Sequence, residues 1–155
     1  LQSATLGATI ANRGYYIAPH VVKEVQGEEL DSLYRFPKRT MVDEVHYETV
    51  VQGMREAVLN GTCRAANLPD IEVCGKTGTA QNRGKDHSAF MGFAPMNDPK
   101  IAICVYVENA GFGATYGVPI GTLMMEMYLK GEISAEHKDL EQRMINAKTF
   151  VYSGT

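Results

Sequence analysis

No run of about 18 apolar residues occurs anywhere in the 155-residue sequence, which excludes a bilayer-spanning helix within it. Lysine and arginine form no cluster, and the net charge is −3. A phosphate-binding face needs a basic patch, so no nucleic-acid partner is expected. Cysteine is scarce. Cys63, Cys74 and Cys104 are far apart and odd in number, which makes neither a CxxC pair nor a disulfide framework and predicts three buried small apolar residues. The histidines (His20, His46, His87, His137) are scattered, with none at i, i+4 from another, so no metal site is expected. None of Ser3, Ser32, Ser88, Ser134 and Ser153 has a lysine three residues later, and none sits in GxSxG. A serine nucleophile of either pattern is missing from this chain. No signal peptide is legible, and the first residue, Leu1, already lies inside a helical pattern. The expectation is a piece cut from a longer protein.

What is present fits one globular domain: 45% apolar and 21% charged residues, in a chain long enough to bury a core. Leu1 to Arg13 (LQSATLGATIANR) is a small, apolar helix, ended by Asn12 and Gly14 and expected to be buried on most faces. Tyr15 to Val25 reads as extended, and Leu30 to Phe36 as a short return strand after the turn Gln26-Gly27-Glu28-Glu29. Residues 43–60 predict a helix, with Val42, Val45, Val50, Met54, Ala57 and Val58 near a period of 3.6. Thr40 and Asp43 resemble a capping box at its start, and Asn60-Gly61 ends it.

Ile71 to Cys74 alternates like a strand and runs into Gly75-Lys76-Thr77-Gly78-Thr79. Ser88 to Ala94 and Ile101 to Val107 make two more strands, and short connections predict an antiparallel meander. The last of the three is apolar on both faces, which predicts a central position. A glycine-rich loop, Glu108 to Thr115, leads to a helix through Leu129 with Pro119 in its first turn. Its apolar residues cover most of the circumference, so it should be sandwiched against the sheet. Ser134 should cap a polar helix to about Ala147, with Leu140, Met144 and Ile145 as one narrow contact. The tail Phe150 to Thr155 carries no readable pattern. The fold class is therefore α+β, an antiparallel sheet flanked by helices.

The densest chemistry lies in Cys74-Gly75-Lys76-Thr77-Gly78-Thr79-Ala80-Gln81. It is no phosphate-binding P-loop, because Asp70 stands where the leading glycine belongs and strand character continues past Thr77. Asp70, Glu72 and Asp86 as paired carboxylates of a hydrolase remain open, though solvated loop charges explain them equally well. Lys-Thr-Gly followed by a hydroxyl is a segment of penicillin-recognising enzymes, and here it has company. Ala8 to Tyr16, Pro19-His20-Val21-Val22-Lys23, Gly53 to Val58 with Gly61-Thr62, His87, Phe90 to Pro95 and Val105 to Asn109 occur in matching order.

Residues 1–131 thereby resemble the C-terminal part of the transpeptidase domain of class B penicillin-binding proteins. The likeness is to the elongation-type peptidoglycan D,D-transpeptidases, the penicillin-binding protein 2 branch. Residues 132–155, a polar helix and tail, fall outside the likeness. The resemblance implies the fold shared with serine β-lactamases, with the Lys-Thr-Gly strand at the edge of a cleft. It implies that Lys76 biases proton transfer there and favours anions. Thr77 and Thr79 hydroxyls bind the carboxylate of a D-Ala-D-Ala stem peptide or a β-lactam, Gly78 leaves room for substrate backbone, and the Thr79 N–H is half of an oxyanion hole. Gln81 receives no task. No cofactor is implied.

The family's serine nucleophile, S-x-x-K lysine and S-x-N segment precede anything present here. The expectation is an inactive fragment of a parent anchored at the periplasmic face of the bacterial inner membrane, in a cell-wall elongation complex. Apolar surface around residues 1–13 and 42–58 should be uncovered and drive self-association. The alternative is an autonomous, non-catalytic module that binds peptide or senses penicillin with the same sheet edge. Saturable NMR shifts at Lys76 to Thr79 on titration with a D-Ala-D-Ala peptide would distinguish the two.

Overall fold

In the computed structural model, which describes residues 1–148, the chain runs α1 (Gln2–Ala11), β1 (Tyr15–Tyr16), α2 (Ser32–Arg35), β2 (Lys38–Arg39), α3 (Glu44–Leu59), β3 (Cys74–Ala80), β4 (His87–Ala94), β5 (Ile101–Val107), α4 (Gly117–Lys130) and α5 (Lys138–Ile145). The tail Phe150 to Thr155 lies outside the described residues. β3, β4 and β5 form the expected antiparallel meander, with Thr77 opposite Phe90 and Phe90 opposite Val105. Side chains alternate between two cores. Cys74 and Phe93 pack under α1 and α3 with Ile10, Val51 and Met54. Phe90 and Val105 pack under α4 with Val118 and Met125.

Several sequence expectations are corrected. β5 is not central; β4 is, and β5 is an edge of this sheet among the described residues. It is apolar on both faces because Ala102 meets the α1 side and Val105 the α4 side. The ladder of the Lys-Thr-Gly strand begins at Cys74, while Ile71 bridges back to Leu68 in a turn. Leu30 to Phe36 is no strand. Asp31 accepts a hydrogen bond from the Leu33 N–H at 2.7 Å and so starts the short helix α2. Of Tyr15 to Val25 only Tyr15–Tyr16 enters a ladder, with Lys38–Arg39; Pro19, further on, has no N–H to give one.

In α3 the buried stripe is Tyr47, Val51, Met54 and Val58, while Val45 and Val50 point to solvent. No capping box forms: Asp43 is the N-cap without a side-chain bond, and the Thr40 hydroxyl meets the Tyr47 hydroxyl at 2.8 Å. α1 buries only Gly7, Thr9, Ile10 and Ala11. Leu1 and Leu6 are exposed with Val42, Val45 and Val50, so apolar surface is uncovered at both places the sequence marked. Cys63 and Cys74 are buried, whereas Cys104, on the edge strand β5, is only half-buried.

α4 buries one face (Val118, Thr122, Met125) but leaves Met124, Met127 and Tyr128 exposed, so it is not sandwiched. α5 lies beside it across an apolar groove of about 610 Å³ whose lining includes Leu123, Met127, Ile133, Met144 and Ile145. Leu140 is not in that lining, and Ser134 makes no cap bond. A 3-10 turn, Ala135–His137, intervenes and brings His137 to a buried carboxylate instead. Glu126 of α4 is 0% exposed, with His137 Nδ1 at 2.8 Å and Lys130 Nζ at 3.6 Å. Lys130 also reaches Asp70, at 3.5 Å.

Burial alone pushes the Glu126 carboxyl up, but the polar groups of Ser134 and the ring and charge of His137 outweigh it and hold it below its usual range. A carboxylate lowered on folding stabilises above its unfolded value and loses that contribution as pH falls through its folded value. Acidification should therefore loosen α5 first, read as lost amide-exchange protection over residues 138–145. Glu126→Gln should flatten that acid dependence; an unchanged profile would exclude Glu126 as its source.

Phe90 marks the middle of the sheet. A Cβ on Gly75, Gly92 or Gly121 would come within 2.6, 2.7 and 2.5 Å of its ring, and one on Gly117 within 3.1 Å of its Cβ. These glycines are spaces the phenyl ring fills.

Candidate active site along the edge of β3

β3 is an outer strand, so every second residue turns its N–H and C=O away from β4. Two contacts show which residues these are. Lys76 Nζ donates to the Thr77 carbonyl at 2.6 Å, and the buried Cys63 thiol lies against the Thr77 main chain. Thr77 therefore faces outward, and the two-residue repeat turns Thr79 the same way. The main chains of Lys76 and Gly78 face β4, opposite Met91 and Ala89. Among the described residues no strand pairs with this edge.

The side chains follow the pleat. Lys76 and Gly78 lie on the α1/α3 face, Thr77 and Thr79 on the α4 face. Lys76, Gly78 and Thr79 are exposed and Thr77 is half-buried. The Thr77 hydroxyl stands 2.7 Å from that of Thr62. A Cβ on Gly78 would make only ordinary contact with Ala89, at 3.4 Å. Packing thus does not demand the glycine; its effect is to keep this face of the edge low. Gln81 follows the strand and is exposed.

The α4 side of the edge is backed by the glycine-rich loop. Ser88, opposite Thr79, is buried; its hydroxyl donates to the Phe112 carbonyl at 2.9 Å and accepts from the Gly117 N–H at 3.0 Å. Gly113 fits so closely that a Cβ would lie 2.4 Å from the Ala89 oxygen and 2.6 Å from the Gly78 oxygen. At the far end His87 Nδ1 accepts from the Asn109 N–H at 3.0 Å, and Gly111 N–H donates to the Asp86 carbonyl at 2.7 Å. Loop and strand form one firm wall.

Both nearby thiols, Cys63 and Cys74, are buried. Burial pushes Cys63 up, only partly offset by the Thr62 hydroxyl, the Thr77 main chain and the Lys76 charge. Burial likewise pushes Cys74 up to about 11 despite Arg55 and Arg13. Burial thus disfavours the thiolate form of both. The carboxylates left open as a hydrolase pair are dispersed: Asp70 pairs with Lys130, Glu72 is exposed, and Asp86 sits in the loop after β3, accepting from Asn82 N–H at 3.3 Å. Sequence reasoning missed Thr62, Ser88 and Gly113 as parts of this wall. Only Thr62 left a signal, as the second residue of the Gly61-Thr62 pair that joins the resemblance.

The family model for the penicillin-binding protein transpeptidase domain matches residues 1–126. The peptidoglycan D,D-transpeptidase MrdA of Acinetobacter baumannii is 33% identical over 135 residues, 74% of this chain and 20% of that protein. Pseudomonas aeruginosa PBP2, solved in complex with WCK 5153, superposes with a TM-score of 0.71 at 34% identity, over 87% of this chain and 31% of that one. Penicillin-binding protein A of M. tuberculosis, solved as a ceftriaxone acyl-enzyme complex, gives a TM-score of 0.71 at 28% identity, over 81% of this chain and 31% of that one. The chain spans about a quarter of the length of the curated relatives it matches.

Proposed function

The chain belongs to the penicillin-binding protein transpeptidase family, and from that membership we propose that it is the substrate-binding wall of a serine D,D-transpeptidase that cross-links peptidoglycan stem peptides and is acylated by β-lactams. The observation that carries this reading is the edge of β3, which no strand pairs with among the described residues, with the Thr77 and Thr79 main chains turned outward beside the exposed Lys76 ammonium.

In the reaction, a serine oxygen attacks the carbonyl of the penultimate D-Ala and an ester forms. The terminal D-Ala leaves with a proton on its nitrogen, and the amine of a second stem peptide then takes the acyl group and releases the serine. On this chain the substrate lies along β3 as an added strand beside Gly78. Thr77 and Thr79 hydroxyls hold its carboxylate. Lys76 attracts that anion and biases proton transfer, and the Thr79 N–H donates to the oxygen that becomes negative in the tetrahedral intermediate.

Residues 1–131 form the transpeptidase portion and 132–155 an appendage to it. The parent acts at the periplasmic face of the inner membrane within a cell-wall elongation complex; no helix among the described residues is long and apolar enough to cross a membrane. The chain on its own does not turn over, because no serine in it precedes a lysine by three, and its uncovered apolar helices favour self-association. A fluorescent penicillin tests this. The full-length protein should take a covalent label that prior denaturation abolishes, and the 155-residue chain alone should take none. A denaturation-sensitive label on the isolated chain overturns the division of labour.

A further inference from the structure

Thr62 belongs to the wall beside β3, and the end of α3 sets how it is presented. α3 ends with the Asn60 N–H bonded to the Glu56 carbonyl at 2.8 Å. Gly61 then passes so close to the helix that a Cβ would lie 2.8 Å from the Ala57 Cα and 2.9 Å from its oxygen. The Cys63 N–H donates to that same Ala57 carbonyl at 2.9 Å, and its side chain is fully buried. Held on both sides, the exposed Thr62 reaches the edge of β3, where its hydroxyl lies 2.7 Å from that of Thr77 and also meets the Cys63 thiol.

We propose that Thr62 is a positioning residue for Thr77, setting the direction in which the Thr77 hydroxyl offers its proton to a ligand carboxylate. Two hydroxyls in contact carry two protons, of which only one lies between the oxygens. When Thr62 donates, the Thr77 oxygen is occupied as acceptor and its own proton is free to turn outward. A carboxylate only accepts, so its arrival favours that polarity, and the pair acts as a short donor relay. This rests on the reading of Thr77 as a carboxylate-binding group.

The test uses the full-length protein and the acylation rate constants of benzylpenicillin, which carries the carboxylate, and of its methyl ester, which does not. Thr62→Val should slow the acid about five- to tenfold, the worth of one oriented hydrogen bond, and leave the ester unchanged. Thr62→Ser should restore the rate, and Thr62→Val should add nothing in a Thr77→Val background. Equal losses on acid and ester, failure of serine to rescue, or a loss that persists without the Thr77 hydroxyl would each make Thr62 merely structural and overturn the proposal. The underlying reading fails separately and visibly, if Thr77→Val itself slows acid and ester alike.

Discussion

Thr79→Pro should slow acylation of the full-length protein by a β-lactam by about 10²- to 10³-fold, the loss seen when one oxyanion donor is removed. The substitution is informative because of where the N–H points. Proline lacks the donor and is excluded from strands when that donor belongs to a ladder. Thr79 turns its main chain away from β4, as Thr77 does toward Cys63 and Lys76. Proline therefore deletes no β3–β4 bond. Thr79→Ala is the control, since it keeps the N–H and loses only the hydroxyl. Time-resolved labelling with a fluorescent penicillin reads both. A proline variant no slower than the alanine variant would remove the Thr79 N–H from the mechanism.

Phe90→Ala should cost about 3–5 kcal/mol of stability, measured by urea unfolding, and should sit toward the upper end. Large-to-small substitutions are softened when neighbouring side chains move into the space. Around Phe90, three of the nearest positions are Gly75, Gly92 and Gly121, which have no side chain to move. Their backbones are tied into β3, β4 and α4, so the void persists. The complementary change, Gly121→Ala, drives a methyl group to 2.5 Å from the ring and belongs to overpacking, about 1–3 kcal/mol. A loss near 1 kcal/mol for Phe90→Ala would show that the sheet and α4 close over the gap.

The meander was legible because polar turns punctuate three short apolar runs, and short connections between strands leave little choice of topology. Strand order was harder. Val105 and Ala102 are apolar whether a neighbouring strand or a helix lies beyond them, so pattern alone made an edge strand look central. The stripe of α3 was misjudged because Val45 and Val50 are apolar and exposed, while Tyr47 carries a hydroxyl and is buried. Asp31 turned a strand-like run into a helix through one side-chain bond, which periodicity does not weigh. At the site, Lys76 to Thr79 stood out by composition and gained a reading only through the longer resemblance. Thr62 meets Thr77 from beyond the end of another helix, and although the Gly61-Thr62 pair joins the resemblance, no local pattern announces that contact.

The pleat of β3 also has a consequence for the recruitment of anions. Lys76 comes to the edge from one face of the sheet and the Thr77 and Thr79 hydroxyls from the other. The ammonium is nevertheless tied to the edge, 2.6 Å from the Thr77 carbonyl, so any anion that recruits it competes with the strand's own main chain.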